Sequence, residues 1–300
     1  MDSLTHALVA AILAYALGFP QLLPFVVIGA VIIDTDVLFS LISDRHPPLY
    51  LFTHGGIAHS LAGAVVMSVL AFVGIALAVL AGLIDPAILV RAGPSGFAAV
   101  LAGAFLHIGL DLPACPGIPL FAPASDRKYG LCILPGPSLL LMATSLVFLI
   151  WMALGVVALA GGMFAYAVIL GAFLSVRVVA YLVAHTNIRG AGRAIPAINP
   201  LRWLVIGGTA DVWTVRDYRI GVGICDPVDY PKFRNTDPDE VAPYLALPEV
   251  QRLRYHSYIV TAEKEGDAII FSDPLRVSGR IFYPPHFRSI VISPVSRHRA

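Results

Sequence analysis

Apolar residues run in long blocks over the first 186 positions, and polar residues interrupt them at intervals too wide for amphipathic surface helices. A bilayer core requires about 20 apolar residues of helix. Four blocks reach or approach that length, at 60–84, 95–112, 138–160 and 163–185, and Gly161-Gly162 is expected to turn the chain between the last two. Two shorter blocks, 4–17 and 21–38, are separated by Gly18, Pro20 and Pro24, which break helices. They predict a short helical hairpin at the start of the chain. After residue 186 the pattern changes. Trp203-Leu204-Val205-Ile206 and Val212-Trp213-Thr214-Val215 flank Gly207-Gly208 as a hairpin, and Tyr258–Thr261 and Ala268–Phe271 flank Glu265-Gly266-Asp267 as a second. A helix is expected over 238–257 and a last strand over 289–293.

The expected fold is therefore an all-α polytopic membrane domain of about six helices over 1–186, followed by a small α+β soluble domain over 187–300. Charge supports the division: residues 1–186 hold 12 of the Asp, Glu, Lys and Arg residues and residues 187–300 hold 27. With 58% hydrophobic and 13% charged residues, the chain departs from soluble averages. Its net charge of +1 offers no basic field for nucleic acid. Met1–His6 lacks the basic segment of a secretory signal, so the first block is expected to be retained. Six crossings put both termini and the loops 39–59 and 113–137 on one face. The short loops there carry Arg45, Arg127, Lys128, Arg189, Arg193 and Arg202, against Arg91 opposite, which places that face in the cytoplasm. Cys115, Cys132 and Cys225 form neither an even set nor a zinc ribbon and are expected as reduced thiols.

Seven chemistry-bearing residues return to that face from separate helices. His6 begins the first, Asp34 and Asp36 lie near the end of the second, and His54 and His59 precede the third. His107 and Asp111 close the fourth, four residues apart and so on one helical face. Ionisable groups in apolar surroundings are costly and mark sites. Imidazole with carboxylate is the ligand set of zinc, manganese and iron. Seven donors exceed one tetrahedral site, so one or two divalent ions are expected, zinc favoured over manganese, with Asp34 or Asp36 as a bridge. The expected reaction is hydrolysis by a metal-activated water, with Asp34 and His54 as the catalytic pair and His54 a ligand or a proton donor to the leaving group. Arg177, inside the last long block, is a candidate substrate clamp; His46, His185, Cys115 and Cys132 are weaker ligand candidates. Gly-rich phosphate loops and Gly-x-Ser-x-Gly elbows are absent.

Through Met1-Asp2-Ser3-Leu4-Thr5-His6, Asp34-Thr35-Asp36, His54-Gly55-Gly56-Ile57-Ala58-His59-Ser60, His107-Ile108-Gly109-Leu110-Asp111 and Gly117–Pro123 the chain resembles the YdjM-type family of inner-membrane metal-dependent hydrolases, also described as LexA-binding. The resemblance is weaker through Ile198–Trp203 and Ser272–Arg276. It implies an inner-membrane hydrolase; the tail, in which no ligand cluster recurs, is expected as a partner-binding, lid or substrate-access domain, with a soluble protein as the candidate partner. Two departures stand out. Ile33 takes the place of the proline common before the first aspartate, and Gly55 that of an arginine suited to holding an anion; Ala58 also replaces a threonine. The motif order is similar to that of zinc-dependent phospholipase C proteins, which raises phosphoester cleavage, at lipid or another substrate, above amide cleavage. Two other classes fit the same residues: a divalent-ion or proton transporter, which predicts polar residues at both faces, and a non-catalytic metal-stabilised scaffold for a soluble partner.

Overall fold

The computed structural model describes residues 1–156, 158–281 and 288–293. Helix α1 (Ser3–Ala16) starts at Asp2, whose carboxylate accepts from the Thr5 amide. A single 3₁₀ turn then leads into α2 (Leu23–Ile32), which continues as a 3₁₀ segment, Ile33–Phe39, and the short α3 (Ser40–Ser43). Ser60 caps α4 (Leu61–Leu80) by accepting from the Gly63 amide. The short α5 (Ala87–Ala92) precedes α6 (Ser95–Asp111), and α7 (Leu139–Ala153) and α8 (Leu159–Ile188) complete the helical region.

Among the described residues, three stretches are long and apolar enough to cross a bilayer: Pro20–Ser43, Leu61–Leu80 and Ala160–Ile188. The other three expected spans fold as helices of 14, 17 and 15 residues, below the usual spanning length. The α4 helix shows how such a segment divides its surface. Gly63, Ala64, Met67, Ser68, Ala71 and Ile75 are buried at helical spacing, while Val66, Leu70, Val73 and Leu77 are exposed. An apolar exterior of that extent is suited to lipid.

Two expectations about helices are corrected. The turn between the last two long segments is not at Gly161-Gly162, which lie inside α8. Gly155 takes the left-handed conformation (φ +69°) after α7, and the Gly155 and Val156 amides bond back to the Met152 and Trp151 carbonyls. This is a glycine-terminated helix end that satisfies otherwise orphaned carbonyls. The helix expected over 238–257 is broken into α9 (Pro238–Val241), a 3₁₀ turn at Ala242–Tyr244 and α10 (Pro248–His256). Pro243 and Pro248 lack amide protons and restart the chain at helical first turns instead of continuing one helix.

The cysteine reading is also corrected. Cys115 and Cys132 form a disulfide, with Cα atoms 4.5 Å apart, and Cys225 is free. The connection between α6 and α7 doubles back on itself: Cys115 N–H donates to the Leu134 carbonyl and Ile118 exchanges backbone bonds with Tyr129. That return path brings together two cysteines whose separation in sequence carries no such signal.

The chain divides into two compact units, 1–41 with 51–179, and 42–50 with 180–300. In the first, α2 lies directly on α6. A Cβ on Gly29 would stand 1.9 Å from the Val100 carbonyl oxygen, and one on Gly103 would stand 2.0 Å from that of Val26. Only glycine permits this approach. Ile33, Ala58, Ala64, Met67, Ala104, Ile108 and Ile118 form one core, and Met1, Leu8, Leu134, Leu141, Phe148, Tyr166 and Leu170 another.

The described residues of the second unit form two sheets. Strands β1 (Arg193–Pro196), β2 (Arg202–Gly208) and β3 (Val212–Arg219) run antiparallel in that order, and β4 (Gly223–Ile224) and β5 (Val228–Pro231) both pair with β3. The second sheet has the order β6 (Phe233–Arg234), β7 (Thr261–Glu265), β8 (Ala268–Ser272), β9 (Ser289–Ile292), antiparallel except for β6 with β7. Both expected hairpins and the last strand are present, but the first strand of the second hairpin is Thr261–Glu265, not the expected Tyr258–Thr261, and Glu265 pairs with Ala268 instead of turning. The end of α8 packs Ala180, Ala184 and Ile188 on Trp203, Val205 and Tyr218. Helix α11 (Pro274–Val277) is capped by Asp273, which also pairs with Arg276 at 3.0 Å, both side chains being almost wholly buried. Burial pushes the Asp273 carboxyl up, against the lowering effect of Arg276, and burial lowers the Arg276 guanidinium.

Candidate metal centre

All seven expected residues lie in the first unit, and contacts link them into one cluster. The close fit of α2 on α6 sets Asp34, just beyond α2, opposite His107 and Asp111 at the end of α6. A tight turn delivers His59: the Ile57 amide bonds to the Leu51 carbonyl, and Ile57–His59 forms one 3₁₀ turn ahead of the Ser60 cap. His6 comes from the first turn of α1. His6, Asp36 and His107 are fully buried and His59 nearly so.

The ring orientations are fixed from behind. His107 Nδ1 lies 2.6 Å from the Ala30 carbonyl oxygen, which can only accept, so Nδ1 donates. His59 Nδ1 donates to Asp36 Oδ2 at 2.9 Å. In its neutral form each ring therefore presents Nε2 as a lone pair, and the two Nε2 atoms are 3.2 Å apart. Neither neutral ring can donate to the other. Asp34 Oδ1 stands 3.5 Å from both of these nitrogens, and Asp111 Oδ2 stands 3.3 Å from both. A tetrahedron with metal–ligand bonds of about 2.0–2.1 Å has edges of about 3.3–3.4 Å. Five of the six edges among these four donor atoms, which come from three segments of the chain, are thus close to the spacing that zinc imposes on its ligands. A buried convergence of lone pairs and carboxylates is costly without a cation between them, so the residues present fit a divalent ion.

The remaining members are differently engaged. Asp36 Oδ1 accepts from His54 Nδ1 at 2.8 Å, and Oδ2 accepts from His59 Nδ1 and from the Gly55 amide. His54 is the most open of the seven, its side chain 33% exposed. Asp34 Oδ2 accepts from the Ser3 hydroxyl at 2.5 Å. His6 Nε2 is 3.3 Å from Asp111 Oδ1, which also pairs with the Met1 amino group. Three sets of donors each lie within 4.8 Å of one another: His6, His107 and Asp111; Asp34, His59 and His107; Asp36, His54 and His59.

None of these contacts involves Arg177, which is buried in α8 with its guanidinium over the Phe173 ring at 5.5 Å. His46 and His185 belong to the second unit. There His185 Nδ1 donates to the Tyr181 carbonyl, and its ring stands edge-on to Trp203. Cys115 and Cys132 are joined to each other.

Sequence reasoning missed the residues that hold α1 in place. Thr5, Ser145 and Tyr166 form a buried ring of hydroxyls, with Thr5 to Ser145 at 3.0 Å, Ser145 to Tyr166 at 2.7 Å and Tyr166 to Thr5 at 3.3 Å. Thr5 also donates to Asp2 at 2.7 Å. This network ties α1 to α7 and α8 and so positions His6. Its signal was available, since hydroxyls within apolar helices pair between helices, but partners 140 residues apart are not visible in the chain.

No curated protein and no solved structure matches this chain. The profile of the YdjM inner membrane protein family matches residues 1–186, a span that contains every residue of the cluster, two of the stretches of membrane-crossing length and all but the last two residues of the third. The chain belongs to the YdjM inner membrane protein family.

Proposed function

We propose that the chain is a membrane-embedded metal-dependent hydrolase acting on an ester, with a phosphoester preferred, at the cytoplasmic leaflet. The observation that carries the reading is the pair of Nε2 lone pairs of His59 and His107 held 3.2 Å apart with a carboxylate oxygen of Asp34 and of Asp111 beside both. Zinc is the favoured ion and manganese the second. A bound divalent ion supplies Lewis acidity and makes a water more acidic.

The chain's own residues supply the rest. Asp36 orients His59 and strengthens it as a donor, as carboxylates behind metal-bound histidines do. His54, held at Nδ1 by Asp36 and open to solvent, presents Nε2 to take up a proton or deliver it to the leaving group. Asp34, steadied by Ser3, contributes charge at the reacting centre. Arg177 has no part in this assignment.

The test combines elemental analysis with turnover of a phosphodiester and of phospholipid vesicles by the purified full chain. Wild type should retain a divalent ion, and His107→Ala and Asp111→Ala should lose it together with turnover. Unchanged metal content in both variants rejects the reading, and metal retention without turnover on any ester favours the non-catalytic scaffold.

A second reading concerns only the side of the membrane. The basic residues of the loops argue for the cytoplasm. The Cys115–Cys132 disulfide argues for an oxidising compartment, where such bonds persist.

A further inference from the structure

His6 is unlike the other histidines of the cluster. It is fully buried, and neither ring nitrogen has a hydrogen-bond partner. A buried polar group in that state is uncommon and needs an explanation. Its ring lies against that of His107, with centroids 3.8 Å apart and planes inclined by 22°. Each ring brings its Nε2 to within 3.3 Å of a different oxygen of the Asp111 carboxylate, His6 to Oδ1 and His107 to Oδ2. The two rings therefore face the same way.

This arrangement bears on how many ions the cluster holds. An imidazole lone pair lies in the plane of its ring. Two nearly parallel, stacked rings send their lone pairs side by side, not to a common point. An ion held between His59 and His107 would lie along the lone pair of His107 and so off the plane of the His6 ring stacked on it. One ion cannot be well bound by both rings.

We propose a second divalent-cation position, held by His6 Nε2 and Asp111 Oδ1, so that Asp111 bridges two ions. The inference rests on the reading that His59, His107, Asp34 and Asp111 hold the first. The ring spacing of 3.8 Å agrees with the separation of about 3.5–4 Å found in two-metal hydrolytic sites. It also narrows the substrate class. Paired cations at that spacing suit a phosphoester, whose centre offers two non-bridging oxygens, one to each cation, so that both the attacking and the leaving oxygen are stabilised. Asp111 differs here from the bridge expected at Asp34 or Asp36, because it alone has one oxygen facing His6 and the other facing His59 and His107. The competing occupant of the Oδ1 corner is the Met1 amino group, which pairs with the same oxygen.

The experiment is reconstitution of the full chain with Mn²⁺, read by elemental analysis and electron paramagnetic resonance. Wild type should bind about two ions per chain and give a spin-coupled spectrum, as closely spaced ions do. His6→Phe, which keeps a stacked ring on His107, should bind about one ion and give an uncoupled six-line spectrum. One ion in wild type with an uncoupled spectrum overturns the second position and leaves the first intact, the Met1 amine then balancing Oδ1. No ion in wild type overturns both. If His6→Phe does not fold, the wild-type spectrum alone decides.

Discussion

Within the cluster, residue type and residue role are distinct matters. His6, His54, His59 and His107 are four imidazoles in apolar surroundings, and the chain alone ranks all of them as ligands. What separates them is the partner of Nδ1. His59 rests on Asp36 and His107 on the Ala30 carbonyl, which leaves both Nε2 atoms aimed at one point; His54 rests on Asp36 but opens outward. Asp36 receives three donors and so is placed to orient, while Asp34 keeps an oxygen facing the two nitrogens. Asp36→Asn tests this division. Asparagine can accept with only one of its two terminal atoms, so one of the histidines loses its support. Metal affinity is expected to fall by about 10–100-fold with the number of ions at saturation unchanged, as measured by chelator competition. A reduced number of ions would make Asp36 a direct ligand.

Among elements, the decisive contact is α2 on α6, because it carries Asp34 to His107 and Asp111. Gly29 and Gly103 read in the chain as unremarkable small residues within apolar blocks. In the structure each lies under a carbonyl of the opposite helix, where a Cβ would be 1.9–2.0 Å from oxygen. Gly103→Ala should push the helices apart, lowering stability by about 1–3 kcal/mol or more and weakening metal retention. Gly74→Ala, in α4 with open space around its Cβ position, should hold or raise stability by up to about 1 kcal/mol. Thermal unfolding with metal analysis on both variants checks the pair, and equal behaviour would remove the close approach as the cause. Element type was largely legible here. The blocks at 60–84 and 95–112 correspond to α4 and α6, and the tail hairpins to β2 with β3 and β7 with β8. Ends were less so, since Gly155 and Gly161-Gly162 offer equal turn chemistry until a hydrogen-bond pattern selects one.

At the scale of the whole molecule, the division into two units departs from a cut along the chain. Residues 42–50 group with the C-terminal unit, where Arg252 donates to the Ser43 carbonyl at 2.9 Å and Tyr50 stands 5.3 Å from Tyr255. The membrane orientation is also a property at this scale, and the free thiol of Cys225 reports it. In the six-crossing reading the tail shares a side with the disulfide-bearing connection, and Cys225 is the one thiol not in that disulfide. The charge distribution leads us to expect labelling of Cys225 by a membrane-impermeant maleimide only after permeabilisation. Labelling in intact cells would reverse the orientation and place the site on the oxidising side.

The sequence by itself determined the membrane character, the position of the composition change near residue 186, the identity of the seven clustered residues and the hairpins of the tail. These are legible because hydrophobic blocks, strand patterning and ionisable groups in apolar surroundings are local signals, read from neighbours in the chain. Tertiary structure alone decided which nitrogen of each histidine faces the centre, that Asp111 turns one oxygen to His6 and the other to His59 and His107, that α1 hangs on Thr5, Ser145 and Tyr166, and that Cys115 meets Cys132. Each of these depends on a distance between groups remote in sequence, and such a distance is set only when helices pack and their buried polar atoms find partners.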